Sequence, residues 1–421
     1  MISFYRIAIG LLVWLVWLPA AGQQLQYVDH YKDPVLEQLK AREAREKEAE
    51  ETKTTEERER ARRERKSSPT GRLEHTDPEL KKPSGPEVFT SAFHFPPVSQ
   101  DRTGTCWSFA TTSFFESESQ HRTGKKIRLS EMYFVYFEYV EKALYFVRQR
   151  GEMNFSPGSE ANAVLRMLEL HGAVPLEAYR GVLNDTPHDH QRLHRRIDGY
   201  LKYVKDNGIW EEDVVVAEVR RMLDAVLGAP PTAFSFEGVD YTPRDFADNV
   251  LGIRAKEYVV TMSTLSLPFH TRGVLEVDDN WWRSGDYVNL PLDAWYSVFR
   301  DAVKAGYSIS VCGDVSEPGH VGKEDIAIIP DYDIPSAYIN QDARELRIVQ
   351  ESTTDDHCVH CVGYVRLDDA DWFLIKDSSR VQHPGRFEGY HFYRGDYVRL
   401  KMLSYLIHQD ALGAILDRIG K

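Results

Sequence analysis

Apolar residues recur every three or four positions over residues 130–149, 159–171, 211–227 and 292–304, the spacing that lays them along one face of a helix. Residues 257–264, 307–312, 357–365 and 372–376 are instead short runs rich in β-branched and aromatic side chains, which predict strands. Helices therefore gather early and strands late. That order predicts an α+β architecture with segregated layers, not the βαβ alternation of a doubly wound parallel sheet. No repeat of fixed period is visible. Two stretches fall outside these patterns. Residues 7–18 form an unbroken apolar run, with Arg6 before it and Ala20, Ala21 and Gly22 after it, the grammar of an export signal spanning residues 1–22. The run is shorter than the roughly 20 residues that a membrane-crossing helix needs, so no stable span is expected after cleavage. An uncleaved signal anchor is the alternative.

Residues 23–85 are expected to lie outside the folded domain as a tether or a pro-like segment, helical or disordered. Residues 40–66 are more than half charged, with both signs mixed and almost nothing apolar to pack. Glu and Arg at spacings of three and four permit a solvated helix, but no apolar seam exists to pair it in a coiled coil. Ser67, Ser68, Pro69 and Gly71, then Pro83 through Pro86, punctuate its end and place the folded domain at residues 86–421.

Composition narrows the functional classes. A chain of 421 residues with 42% apolar content can bury a core large enough for an enzyme. A net charge of −13 argues against a protein built to grip nucleic-acid phosphates. Four cysteines are too few for a dense disulfide framework, so stability is expected from ordinary burial and each cysteine is read on its own.

Cys106 stands in the segment Gln100-Asp101-Arg102-Thr103-Gly104-Thr105-Cys106-Trp107-Ser108. Gly104 allows a sharp turn, and a helical pattern runs from there to about His121 before Gly124, so Cys106 falls at a helix N-terminus. The free N–H groups of such an end favour an anion and populate the nucleophilic thiolate. Gln100, six residues earlier, is placed so that its amide N–H2 and the Cys106 backbone N–H could hold the oxyanion of an attacked carbonyl.

A glutamine followed six residues later by Cys-Trp resembles the signature of the papain superfamily of cysteine peptidases. The stretch Asp356-His357-Cys358-Val359-His360-Cys361-Val362-Gly363-Tyr364 looks like the family's late strand, with His357 as the base. Trp372 through Arg380 looks like the stretch that orients that base, with Asp377 in place of the family's Asn and Ser379 in place of its Trp. An aspartate still accepts the imidazole N–H and favours its protonated form more strongly. Loss of the Trp is expected to open that hydrogen bond to water. His357 follows Cys106 by 251 positions, against about 130–150 in the small cathepsin-type pattern. The extra length resembles the larger bleomycin hydrolase and aminopeptidase C branch, as do Leu129 through Tyr133, Gly172 through Pro175, Cys312 through Ser316 and His408 through Ala411.

The resemblance implies a two-lobed papain-like fold, a helical lobe carrying Cys106 and an antiparallel β lobe carrying His357, with a helical insertion at about residues 187–255. It implies a cysteine peptidase of aminopeptidase-like action on peptide substrates, with Cys106, His357, Asp377 and Gln100 as catalytic residues and no cofactor or metal required. The branch forms rings, so a homo-oligomer is an implied partner. The helical face at residues 193–227 would suit such an interface or an intramolecular lid equally well. The tail 414–421 does not resemble that branch's C-terminal arm, which meets the substrate's free amine, so the choice between exopeptidase and endopeptidase does not carry over.

Other readings compete. His357, Cys358, His360 and Cys361 have the chemistry of a zinc cluster, but alternation along a strand points neighbours to opposite faces, which favours Cys358 and Cys361 as core residues. A Cys-His-Asp order also fits transglutaminase-like acyl transfer. The altered residues 377–379 leave room for a peptidase-shaped binding or scaffold protein. Gly158 and Ser159, where the family usually has paired glycines, could line a substrate groove or simply start a helix.

Overall fold

The computed structural model describes residues 24–29, 33–50, 71–183, 186–316, 318–379 and 385–418. The expected signal at residues 1–22 and the charged residues 51–70 lie outside them. Within the charged segment, strand β1 (Gln24–Asp29) pairs antiparallel with β2 (Gly71–Thr76), and helix α1 (Pro34–Glu50) runs between them in sequence. Asp33 starts α1 by accepting from the backbone N–H groups of Val35 and Leu36 at 2.8 and 3.0 Å, which satisfies two of the helix's orphan donors. The helix is held to the domain by charge. Glu43 takes Arg102 at 2.6 Å and also pairs with Arg195, while Arg42 lies 3.6 Å from Asp189.

The helical lobe is built on α2 (Cys106–Thr123), α3 (Glu131–Arg148), α4 (Ala161–His171), α5 (Gln191–Asp206) and α6 (Glu212–Leu227). The periodic runs fall on α3, α4 and α6 to within two residues at each end. Helix α2 is buried from Trp107 to Ser119 although eight of those thirteen residues are polar. Several of its polar groups find partners: Ser108 donates to the Glu131 carbonyl, Thr111 meets Ser310, and Glu116 accepts from the Leu129 N–H, at 2.8–2.9 Å. Leu193, Ile197, Leu201 and Val204 of α5, with Val215, Val219 and Leu223 of α6, are buried in the same core as α2 and α3. The apolar face of the insertion is thus covered within the chain.

The second lobe is a sheet whose main strands are β3 (Tyr258–Met262), β4 (Ile309–Gly313), β5 (His357–Leu367), β6 (Ala370–Lys376), β7 (Tyr390–Arg394) and β8 (Met402–His408). They lie in the order β7-β6-β5-β4-β8-β3, each neighbouring pair antiparallel, with short strands continuing both edges. One face carries its own core around Trp295, Phe299, Val359, Phe373 and Tyr405, beneath the helix Leu292–Lys304. Helices on one side and this sheet on the other make the α+β, two-lobed, papain-like arrangement that the resemblance implies. Strand β8 was not anticipated, because its seven buried residues carry no alternation to distinguish a strand from a helix.

Cys358 and Cys361 are core residues, as expected; Cys358 is in addition disulfide-bonded to Cys312, while Cys361 stays reduced. The cause is register. Cys358 on β5 stands directly opposite Cys312 on β4, so two cysteines 46 positions apart in sequence become neighbours.

Candidate active site

Gly104 has φ +69°, the left-handed region that favours glycine, and turns the chain into α2. A Cβ at this position would press on the Pro157 ring, so the turn also needs the missing side chain. Thr105 then stands at the N-cap position of α2, its hydroxyl bonded to Thr103 instead of the helix end, and leaves Cys106 as the first residue, half-buried. Trp107 fixes the other side of the turn by donating its indole N–H to the Pro157 carbonyl at 3.1 Å. The loop ahead is braced as well. His188 donates its N–H to Asp101 Oδ2 at 3.0 Å, and the backbones of Arg102 and residues 188–190 exchange bonds of 3.0 Å in both directions.

His357 opens β5 and Asp377 follows the end of the adjoining strand β6. The His357 Nε2 and Asp377 Oδ1 lie 2.7 Å apart. Oδ1 also accepts the Ser379 N–H at 2.8 Å, and the Asp377 N–H is held by the Gly389 carbonyl at 2.8 Å. The expected opening of this bond to water does not occur: His357 is 7% exposed and Asp377 only 1%. Pro97 packs on Gly389 beside the Asp377 carbonyl.

Burial alone would lower the proton affinity of His357. The charge of Asp377, hydrogen-bonded to the ring, together with that of the nearby Cys106 sulfur, outweighs burial and holds its pKa well above the ordinary imidazole range. Gln100 reaches the same place from the loop. Its backbone N–H donates to the Ser378 carbonyl, and its Oε1 accepts the Ser378 hydroxyl, both at 2.8 Å. With Oε1 so engaged, the amide N–H2 is the end left for a ligand.

All four residues singled out in the sequence therefore gather at the junction of the lobes. The same cannot be said of the tempting zinc set. Cys358 is in the disulfide and His360 bonds Ser113 at 2.8 Å on the side of α2, so the four residues 357, 358, 360 and 361 do not converge. Two neighbours were missed: Ser378, which orients Gln100, and Asp355, near enough to interact electrostatically with Cys106. Ser378 lay inside the stretch already read, and Asp355 stands two places before His357. Only the fold could show their contacts.

No family model matches the chain. Aminopeptidase C of Listeria innocua serovar 6a is 24% identical over 286 residues, 58% of this chain and 64% of the relative. Aminopeptidase C of Streptococcus thermophilus is 23% identical over 261 residues, 52% of this chain and 58% of the relative. The chain is a relative of papain-like cysteine peptidases. It spans less than two thirds of the length of those proteins. The crystal structure of PepW from Lactobacillus rhamnosis HN001 superposes with a TM-score of 0.59 at 17% identity, over 79% of this chain and 84% of that one, which is a likeness of fold.

Proposed function

We propose that this chain is a cysteine peptidase of aminopeptidase-like action, hydrolysing peptide bonds at the Cys106 site. The observation that carries the reading is the meeting of Cys106, His357, Asp377 and Gln100 at one point between the lobes. In this mechanism the Cys106 thiolate attacks the peptide carbonyl carbon, and the carbonyl π electrons move onto oxygen. Gln100 Nε2–H and the Cys106 backbone N–H hold that oxyanion. When the carbonyl re-forms, the C–N bond breaks and His357 gives its proton to the leaving amine. A water then loses a proton to His357 and adds to the thioester, and the intermediate collapses to the free acid and the Cys106 thiolate, which restores the thiolate–imidazolium pair. Asp377 keeps the ring oriented throughout and stabilises the imidazolium.

The aminopeptidase reading is supported by the names of the sequence relatives, and export by the apolar run at residues 7–18. The Cys312–Cys358 disulfide fits an oxidising compartment as well. Incubation with a mixed peptide library and a thiol-directed covalent probe tests the chemistry. Label at Cys106, cleavage, and loss of both in Cys106→Ala are expected; equal turnover by the variant defeats the proposal. Amine products beginning one residue from the peptide N-terminus are expected, and internal cuts would replace the aminopeptidase reading with an endopeptidase one. Sequencing the mature N-terminus tests export, which retention of Met1 would refute.

A further inference from the structure

The loop that carries Gln100 is gripped from two sides. On the β-lobe side Gln100 itself is held by Ser378, and two residues on, the Arg102 backbone is bonded to residues 188–190 of the insertion. Between these grips Asp101 has φ +53°, the left-handed region that a residue with a side chain rarely adopts. Its carboxylate holds that conformation by accepting the His188 N–H at 3.0 Å. The Arg102 guanidinium reaches a third element: Glu43 of α1 lies 2.6 Å away, and Asp189 of the insertion 3.7 Å away. Asp189 is fixed in turn, because its Oδ1 accepts the Gln191 N–H at the start of α5 at 3.0 Å.

Glu43 does more than touch the loop. The same carboxylate pairs with Arg195 on α5, so two guanidiniums from different elements are drawn together over one acid. Without that acid the two cations face each other, and their repulsion acts to part the oxyanion loop from α5. Hydrogen bonds from Arg195 and Arg102 outweigh burial and hold the Glu43 carboxyl below its ordinary range, so it is ionised wherever a thiolate–imidazolium pair exists. Helix α1 is anchored beyond this contact. Its Leu39 is buried, its Arg42 lies 3.6 Å from Asp189, and β2, whose partner β1 precedes α1, grips the other lobe where the His75 N–H donates to the Pro318 carbonyl at 2.9 Å. The N-terminal segment therefore holds both lobes while Glu43 sits on the loop of the oxyanion donor.

We propose that α1 is an activating strap, in which Glu43 and Arg102 are positioning residues that hold the Gln100 loop in the geometry that receives the oxyanion. This rests on the peptidase reading, and it gives the segment a role opposite to that of a pro-like segment that blocks the cleft: activity falls when α1 lets go. The contact is an ion pair between side chains 18% and 23% exposed, so salt screens it, while pH changes near neutrality leave both charges in place.

Two reactions of the full chain separate positioning from folding. Acylation of Cys106 by a peptide ester develops an oxyanion, whereas alkylation by iodoacetamide, a displacement at saturated carbon, does not. Glu43→Gln should slow single-turnover acylation about three- to tenfold, what one or two partly exposed ion pairs supply, and leave the alkylation rate and its pH profile where they were. Glu43→Asp, which keeps the charge, should recover part of the loss. Raising sodium chloride to about 0.5 M should slow acylation in the unsubstituted chain and add little to the loss in Glu43→Gln. Amide hydrogen exchange over residues 99–105 needs no chemistry at Cys106; it should quicken in Glu43→Gln while residues 357–365 keep their protection. Unchanged exchange in that loop overturns the proposal, as does an equal slowing of acylation and alkylation, or a variant that acylates faster. The two readings fail separately. A chain whose loop loosens in Glu43→Gln but which neither acylates nor cleaves peptides loses the peptidase alone; one that cleaves peptides with loop and rate indifferent to Glu43 loses the strap alone.

Discussion

His357 is the residue on which the site's pH response turns. Its imidazolium is held by a carboxylate 2.7 Å away inside a buried junction, where charge acts with less screening than in water. Removing that charge while keeping a hydrogen-bond acceptor, as in Asp377→Asn, lowers the His357 pKa. Thiolate and imidazolium must coexist for activity, so the basic limb of the profile should move to lower pH. The rate of Cys106 alkylation against pH reads this directly, and an unmoved limb would detach Asp377 from the mechanism. Gln100 acts on the other side of the sulfur. Gln100→Ala should lower kcat by about 10²–10³-fold, the cost of an oxyanion donor. Ser378→Ala leaves the amide present but less well oriented, and should cost only about fivefold, one hydrogen bond's worth. Single-turnover acylation rates compare the two; equal losses would mean that Ser378 does more than orient. These residues were legible because nucleophile, base and oxyanion donor must be particular residue types. Ser378 was not, since its bond to Gln100 joins residues 278 positions apart.

At the scale of elements, the strand that carries His357 is fixed on both sides. Antiparallel pairing joins β5 to β6, and the disulfide ties it to β4 one residue beyond the imidazole. Closing a loop of 46 positions is worth up to about 4 kcal/mol in chain-entropy terms, so the pair Cys312→Ala and Cys358→Ala should lose about 2–4 kcal/mol of stability. Denaturant midpoints under oxidising conditions measure it. Unchanged midpoints would mean that the cross-link adds nothing to the pairing of the strands. The existence of β4 and β5 could be read from their β-branched runs, but not the bond between them. Sequence gives four cysteines, and only the register of two distant strands decides which meet. Helix α2 was legible for a local reason: Gly104 and Gly124 bracket it, and both adopt positive φ. Strand β8 was illegible for the opposite reason, since burial on both faces erases alternation.

Across the whole molecule, the two lobes meet along α2, which carries buried polar residues into a core shared with the sheet. Glu118 on this helix illustrates the cost. Burial, offset in part by the Tyr258 hydroxyl, pushes its carboxyl up to about 7. A carboxyl that holds its proton in the folded state but not in the unfolded one contributes stability that is present below about pH 4.5 and lost as pH rises to about 7. Glu118→Gln should therefore remove one component of the decline in Tm across that window, and a difference curve that stays flat there would contradict it. The division into lobes was foreseeable from helices early and strands late, whereas the docking of α1 through Glu43 was hidden within a segment that looks uniformly solvated.

The two kinds of sulfur in this protein differ in access: Cys106 is half-buried, while Cys312 and Cys358 are 0% and 3% exposed. A mild reductant added to rescue an oxidised nucleophile would reach the first and be shut out from the others, because exchange needs a thiolate to approach the disulfide. Revival of the enzyme and loosening of its scaffold would then occur at separate doses.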